Sequence, residues 1–358
     1  MRDRRLLPPI RPTRGRGAIS NVPGRFEGWR REPDVEETSL DPSRPETQVT
    51  AQRAKSILAR NDSPDVPFDR SINPYQGCEH GCVYCYARPA HAYLGLSPGL
   101  DFETRIFAKT NAADLLIDEL SRPGYRCAPV TIGGNTDPYQ PAERNLGITR
   151  SVIRVLHDCR HPFSIITKSA LIERDLDLLA PMAAANRVHA YISITNLDNP
   201  LARRLEPRAA APYRRLETIR RLAEAGVPVG VMVAPVIPWI TDRYLEEILE
   251  AARAAGAGAA GYVLLRLPHE VAPLFKEWLE AHFPMRARRV LERVRDMRGG
   301  KDYDPRWHLR QTGSGEYAQL LARRFEIACR RFGLDGGRAA LDASGFTPPR
   351  SQRQLQLL

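Results

Sequence analysis

Three cysteines stand within eight residues, in the stretch Ser71-Ile72-Asn73-Pro74-Tyr75-Gln76-Gly77-Cys78-Glu79-His80-Gly81-Cys82-Val83-Tyr84-Cys85-Tyr86. Thiols at i, i+4 and i+7 in a loop leaving a strand can turn inward around one centre. Gly77 and Gly81 allow the tight backbone that such wrapping requires. Thiolate is the preferred ligand of iron–sulfur clusters, which usually take four. With only Cys78, Cys82 and Cys85 at hand, one iron of a [4Fe–4S] cube keeps an open position that can bind and reduce a small molecule. The competing chemistry is a Cys₃His zinc site completed by His80, His91 or His157, but zinc more often uses paired Cys-x₂-Cys knuckles and no second pair is present. Cys127, Cys159 and Cys329 are scattered singly, which excludes a disulfide framework; Cys159 and Cys329 fall in helical patterns as small core residues.

The elements that must position these thiols follow from periodicity. Short apolar runs at Ser71–Tyr75, Pro129–Gly133, Phe163–Thr167, Ala190–Thr195, Pro228–Ala234 and Gly261–Arg266 read as strands. Between them, Ala112–Ser121, Ala142–Asp158, Glu173–Ala185, Tyr213–Ala225 and Arg243–Ala255 carry apolar residues at spacings of three and four and read as helices. Gly226, Gly256 and Gly261 stand where helix ends and returning turns want them. Six β/α units in alternation imply an α/β fold with a parallel sheet, either doubly wound or a full or partial (β/α) barrel, with ligands at the strand C-termini. Helical segments at 271–297 and 315–332 and a polar tail complete the chain. The organisation expected is a basic, largely extended segment 1–66, a core 67–270 and a C-terminal extension 271–358.

The formal charge is +11, and residues 1–31, with nine arginines against two acids, contribute +7 of it. Such a tail suits a phosphate backbone or another anionic partner by counterion release, and equally a solubilising end. Its patch Arg14-Gly15-Arg16-Gly17 through Glu27 looks built to dock on the body, with Phe26 and Trp29 as anchors. No run approaches the ~20 apolar residues of a membrane span, and the start of the chain lacks the apolar core of a signal peptide. A cytoplasmic location is the expectation.

Cys-x₃-Cys-x₂-Cys with an aromatic before the last cysteine resembles the signature of the radical S-adenosylmethionine (SAM) superfamily, over roughly residues 67–270. The longer string Asn73-Pro74-Tyr75-x-Gly77-Cys78-x-His80-x-Cys82-x-Tyr84-Cys85-Tyr86-Ala87 is similar to the spore photoproduct lyase-like branch, and within it to a bacterial subgroup with the Arg-Gly-Arg-Gly patch. The resemblance implies a partial (β/α)₆ barrel and a [4Fe–4S] cluster on Cys78, Cys82 and Cys85. It also implies SAM chelated to the open iron and cleaved by one electron to a 5′-deoxyadenosyl radical that abstracts a substrate hydrogen. A flavodoxin or ferredoxin would be the electron donor.

Further residues are carried over position by position. Gly133 and Gly134 match two thirds of the superfamily's Gly-Gly-Glu motif for the SAM amino group, with Asn135 in place of the acid. Thr136 and Asp137 match a Ser-Asp pair of the lyase branch; by capping rules alone, Asp137 or Glu143 would simply start a helix. Lys168 aligns with a lysine, and Ser193 with a serine, that contact SAM; separately, the backbone of Ala234 in the apolar, Pro-terminated fifth strand could contact SAM. Tyr84 and Tyr86 match tyrosines implicated in relaying a hydrogen atom, or they pack against the cluster. Glu206 and Arg208 are expected at the rim as functional or exposed charges, and Arg266 to close the mouth or pair with Glu270. The lyases' hydrogen-donating cysteine falls on Gly134, which puts their repair reaction in doubt. Nucleic acid as substrate is favoured by the Arg tail and the kinship. The alternatives are an iron–sulfur electron carrier or structural metalloprotein that binds nucleic acid through its tail, and a zinc-stabilised barrel hydrolase.

Overall fold

The computed structural model describes residues 12–27, 45–337 and 339–349. Trp29, the arginines before position 12 and the tail beyond 349 lie outside the described residues. In chain order the first elements are β1 (Gln48–Gln52), β2 (Leu58–Arg60), β3 (Arg70–Ile72), β4 (Tyr75–Gln76), α1 (Leu100–Thr104), β5 (Arg105–Lys109), α2 (Ala112–Leu120) and β6 (Val130–Ile132). Next come α3 (Glu143–Leu146), α4 (Ile148–Asp158), β7 (Phe163–Thr167), α5 (Leu176–Ala184), β8 (Val188–Ser193), α6 (Asn199–Leu205), α7 (Pro212–Glu224), β9 (Val229–Val236), α8 (Leu245–Ala254) and β10 (Ala259–Leu264). Helices α9 (Val271–His282), α10 (Pro284–Asp296) and α11 (Glu316–Phe332) follow.

One sheet carries the order β10-β9-β8-β7-β6-β3-β2. Its strands β3 and β6 to β10 are mutually parallel, and β2 adds an antiparallel edge to β3. The sheet is therefore the expected α/β partial barrel of six units, open rather than closed. Alternate residues of a strand share one face, and on one face of this sheet Phe163, Ile165, Val188, Ala190, Ile192, Val229, Val231 and Val233 are all buried. Helices α4, α7 and α8 bury Val152, Ile153 and Leu156, Ile219 and Leu222, and Ile248 and Leu249 against them. Because the six strands run the same way, the loops after β3 and β6 to β10 gather at one mouth.

The open side is bridged by the loop after α10. Leu264 N donates to Gln311 O (2.8 Å), which holds the loop after α10 along β10. From that loop Arg310 forms an ion pair with Asp65 and donates to Ser63, in the segment between β2 and β3 at the opposite edge.

Several expectations change in detail. Ser71–Tyr75 is two strands, because β4 leaves the main sheet to pair antiparallel with β5 in a small sheet β1-β5-β4. The helix expected over Ala142–Asp158 breaks at Gly147, whose left-handed backbone (φ +64°) ends α3 and begins α4. The run 271–297 is two helices, divided at Phe283 before Pro284. Gly261 lies inside β10 rather than in a turn; a Cβ there would come within 2.7 Å of Met232 Sδ. The stretch before residue 67, expected to be largely extended, supplies β1 and β2 to the two sheets and buries Ala18, Ile19, Val22 and Ile57. No described helix is long and apolar enough to cross a membrane.

Candidate active site

The cysteine loop is held from all sides. Cys78 N donates to Phe102 O (2.9 Å) and Val83 N to Leu205 O (3.2 Å), which tie the loop to α1 and α6. Arg88, fully buried, donates from Nε to Cys82 O (2.9 Å) and pairs with Glu103 (2.5 Å). Glu103 also accepts from Gly17 N (2.9 Å) and Ala18 N (2.8 Å), so the Arg-Gly-Arg-Gly patch is the outer wall of the loop. Arg16 donates to Glu103 O (3.0 Å) from the same patch. Phe26, expected as an anchor, stays exposed and rests on Tyr93 instead.

Cys78 and Cys82 are buried and Cys85 is half-buried. Burial pushes all three thiols up, Cys82 to about 12, so that thiolates here are costly without a cationic partner. A metal cluster supplies that partner, and the donor set fits one: three soft sulfurs on one loop, with Gly77 (φ +81°) and Gly81 (φ +67°) making its turns. Each histidine considered as a fourth zinc ligand has one ring nitrogen engaged. His91 Nε2 lies 3.0 Å from Arg105 O, His80 Nδ1 3.2 Å from Asp137 Oδ2, and His157 Nδ1 2.9 Å from Asp158. Among the described residues no three His, Cys, Asp or Glu side chains are grouped as for a single metal ion.

The strand ends meet this loop unequally. Gly133 has φ +85°, and a Cβ on it would stand 2.6 Å from Ile166 O, so β6 leaves the sheet where only glycine fits. Gly134 accepts a hydrogen bond at its carbonyl from the Tyr86 hydroxyl. Thr136 Oγ1 donates to Tyr75 O (2.8 Å), which occupies it in joining two loops. Asp137 accepts from Thr167 Oγ1 (2.6 Å), Tyr139 N (2.9 Å) and Lys168 N (2.8 Å). Burial alone would raise its carboxyl, but His80 and these donors outweigh it and hold the group at about 2. Asp137 thus braces β6, β7 and the cysteine loop against one another.

Lys168 Nζ lies 6.0 Å from the centre of the Tyr84 ring and has no hydrogen-bond acceptor or carboxylate partner among the described residues. Burial alone would lower its pKa; the negative charges of Cys82 and Glu206 outweigh that and raise it, so the ammonium stays charged. Ser193 ends β8, buried, its carbonyl accepting from Arg215 (2.9 Å). Ala234 lies in β9, and its half-buried position brings backbone but no polar side chain to the mouth.

Sequence reasoning placed Glu206 at the rim; the structure buries it. Glu206 pairs with Arg215 and accepts from Tyr84 OH and from Thr195 Oγ1 (3.1 Å). Arg208 pairs with buried Glu79 (2.9 Å). A signal for the first network was present in α7, where Arg215 shares a helical face with Ile219 and Leu222 at i+4 and i+7, a place for a cation only if a buried partner awaits it. Arg266 does not pair with Glu270, which instead accepts from Arg25 N (2.9 Å). Arg266 stacks over Tyr86, its guanidinium carbon 5.2 Å from the ring centre.

An open parallel β/α sheet with a three-thiol loop after its first strand and polar side chains at the next strand ends defines the architecture of SAM-dependent radical enzymes. The family model of the Radical SAM superfamily matches residues 72–252, and the chain belongs to that superfamily. Its cofactors are accordingly a [4Fe–4S] cluster and SAM. An uncharacterized protein of Mycobacterium tuberculosis (strain ATCC 25618 / H37Rv) is 39% identical over 232 residues, 64% of this chain and 68% of the relative. An uncharacterized protein of Methanocaldococcus jannaschii is 27% identical over 171 residues, 48% of this chain and 61% of the relative. Among solved structures, a spore photoproduct lyase variant with bound AdoMet and dinucleoside spore photoproduct superposes with a TM-score of 0.55 at 16% identity, covering 79% of each chain, and so shares the fold.

Proposed function

We propose that the chain cleaves SAM reductively at a cluster held by Cys78, Cys82 and Cys85 and abstracts hydrogen from a substrate seated on the Tyr86 side of the mouth. When bound, the cluster and SAM supply a 5′-deoxyadenosyl radical by one-electron cleavage. The observation that carries the reading is Lys168: a charged, unpaired ammonium beside Cys82, at the mouth end of β7, where it can pair with the SAM carboxylate. Gly133 gives close backbone approach to the amino acid part of SAM, and Ser193 and Ala234 line the same mouth from β8 and β9. Asp137 and Thr136 set the shape of the β6 exit rather than spend their oxygens on ligand.

Tyr84 is fixed by its bond to Glu206, whereas Tyr86 is 45% exposed and sits on the Gly134 carbonyl. Of the two, Tyr86 is the one a substrate can touch. With glycine at 134, no thiol at that strand end returns a hydrogen atom, so the reaction differs from the lyase repair in its last step. Nucleic acid is the proposed substrate class, with a cytoplasmic flavodoxin or ferredoxin as electron donor. The test is anaerobic reconstitution with iron and sulfide, reduction with dithionite and measurement of 5′-deoxyadenosine from SAM. Absent cluster absorbance and absent cleavage in the wild type, with unchanged behaviour in Cys82→Ala, would sink the proposal.

A further inference from the structure

We infer that Arg266, supported by Tyr303 and Arg298, is a receptor for an oxyanion group of the substrate; the inference rests on the mouth beside Tyr86 being where the substrate sits. Arg266 stands two residues beyond the end of β10. Its guanidinium carbon is 5.2 Å from the Tyr86 ring centre and 6.0 Å from that of Tyr303. Its one hydrogen bond among the described residues is a long one, to Tyr303 OH at 3.3 Å. Nε is buried with no partner, and no carboxylate pairs with the group among the described residues.

The neighbourhood adds positive charge rather than cancelling it. Arg298, 1% exposed, donates to Leu309 O (2.7 Å) and Leu265 O (2.8 Å) and likewise has, among the described residues, an unpartnered Nε and no carboxylate partner. Burial first, and then the charge of Arg266, bring Arg298 down to about 10. Asp304, whose charge reaches Arg298, is itself taken up by Arg306 through contacts of 3.0 and 2.7 Å. A partly buried cation without a counter-ion is costly to keep, and the planar fork of an arginine matches a phosphate or a carboxylate. Phe68 lies 3.5 Å from the point where a Cβ of Gly134 would stand, an apolar neighbour of the Tyr86–Gly134 contact. An anionic group on Arg266 would therefore hold a substrate across Tyr86 and Gly134.

The probes are inorganic phosphate and, in a parallel arm, ¹³C-acetate, with line broadening read by NMR on the full reconstituted chain at constant ionic strength. Wild type is expected to bind at least one of the two, and Arg266→Gln to weaken that binding at least about tenfold, the worth of a charge-assisted bond. Arg220→Gln, at an exposed arginine of α7, is expected to bind as wild type. Phosphate alone lost in Arg266→Gln assigns a phosphate-bearing substrate, and acetate alone a carboxylate. Should Arg266→Gln fail to fold, the wild type still decides, because bound anion must protect Arg266 from phenylglyoxal, read by peptide mass. Equal binding in wild type and Arg266→Gln, or no protection, overturns the inference. None of these readouts needs SAM cleavage, so anion binding without 5′-deoxyadenosine formation would overturn the radical reading and leave this site standing.

Discussion

Gly17 lies against the carbonyl of Gly81, so close that a Cβ on it would overlap the Gly81 oxygen and approach Val83 N to 3.2 Å. The two glycines bring the N-terminal patch and the cysteine loop into backbone contact. Gly17→Ala is expected to cost about 1–3 kcal/mol, as overpacking does, and to lower the iron retained per chain after reconstitution. Gly134→Ala is the contrast. Its Cβ would meet Ser71 at 3.4 Å and Phe68 at 3.5 Å, ordinary contacts at an ordinary φ, so thermal unfolding should shift by less than about 1 kcal/mol. Equal effects of the two substitutions would refute this view of the patch.

Glu206 and Arg215 form a buried ion pair that also receives Tyr84 OH. Glu206→Gln strands the Arg215 charge in the core, and an uncompensated buried charge of this kind costs about 3–5 kcal/mol. Tyr84→Phe removes one hydrogen bond and should cost about 1–2 kcal/mol. Urea denaturation midpoints rank the two, and a larger loss in Tyr84→Phe would contradict the network.

Among the described residues Lys168 has no carboxylate partner of its own. Lys168→Gln should weaken SAM binding at least about tenfold, as loss of a charge-assisted pair does, while iron content stays that of the wild type. Equilibrium dialysis with reconstituted protein reads both. Unchanged SAM affinity would remove Lys168 from the site.

His161 sets a pH dependence away from the mouth. Its ring is neutral in the fold: Tyr125 OH lies 2.8 Å from Nε2 and Pro162 O 3.0 Å from Nδ1, an arrangement met by an Nδ1–H tautomer. Burial holds its pKa at about 4, whereas the unfolded side chain titrates near ~6.5. Between these values the unfolded chain binds a proton that the folded chain does not, so stability falls as pH drops from about 6.5 to 4, by up to about 3 kcal/mol from this group. His161→Gln should flatten the stability curve across that window by about 1.4 kcal/mol per pH unit. Parallel curves for the two proteins would show that His161 is not buried neutral.

Much of the fold was legible because parallel β/α units write their period directly into the chain: apolar strands, then helices with one apolar face. All six parallel strands appear where the runs predicted, within a few residues. Breaks at Gly147 and Phe283 were less visible, since each flanking pattern continues in phase across them. The thiol loop was legible from spacing, and the roles of Thr136, Asp137 and Glu206 were not. A carboxylate looks the same in sequence whether it faces ligand or three backbone and hydroxyl donors, and only the neighbours of Asp137 show its oxygens engaged.

The sequence by itself determined the chemistry available: three thiols with room for a fourth ligand, glycines where the backbone must turn, and a lysine at a strand end. Those are properties of residue type and local spacing. Tertiary structure alone decided which charges are spent and which are free. Glu103, Asp137 and Glu206 are consumed by partners from distant segments, while Lys168 and Arg266 keep their charge for something else. That division depends on burial and on contacts across tens to hundreds of residues, which no local pattern encodes.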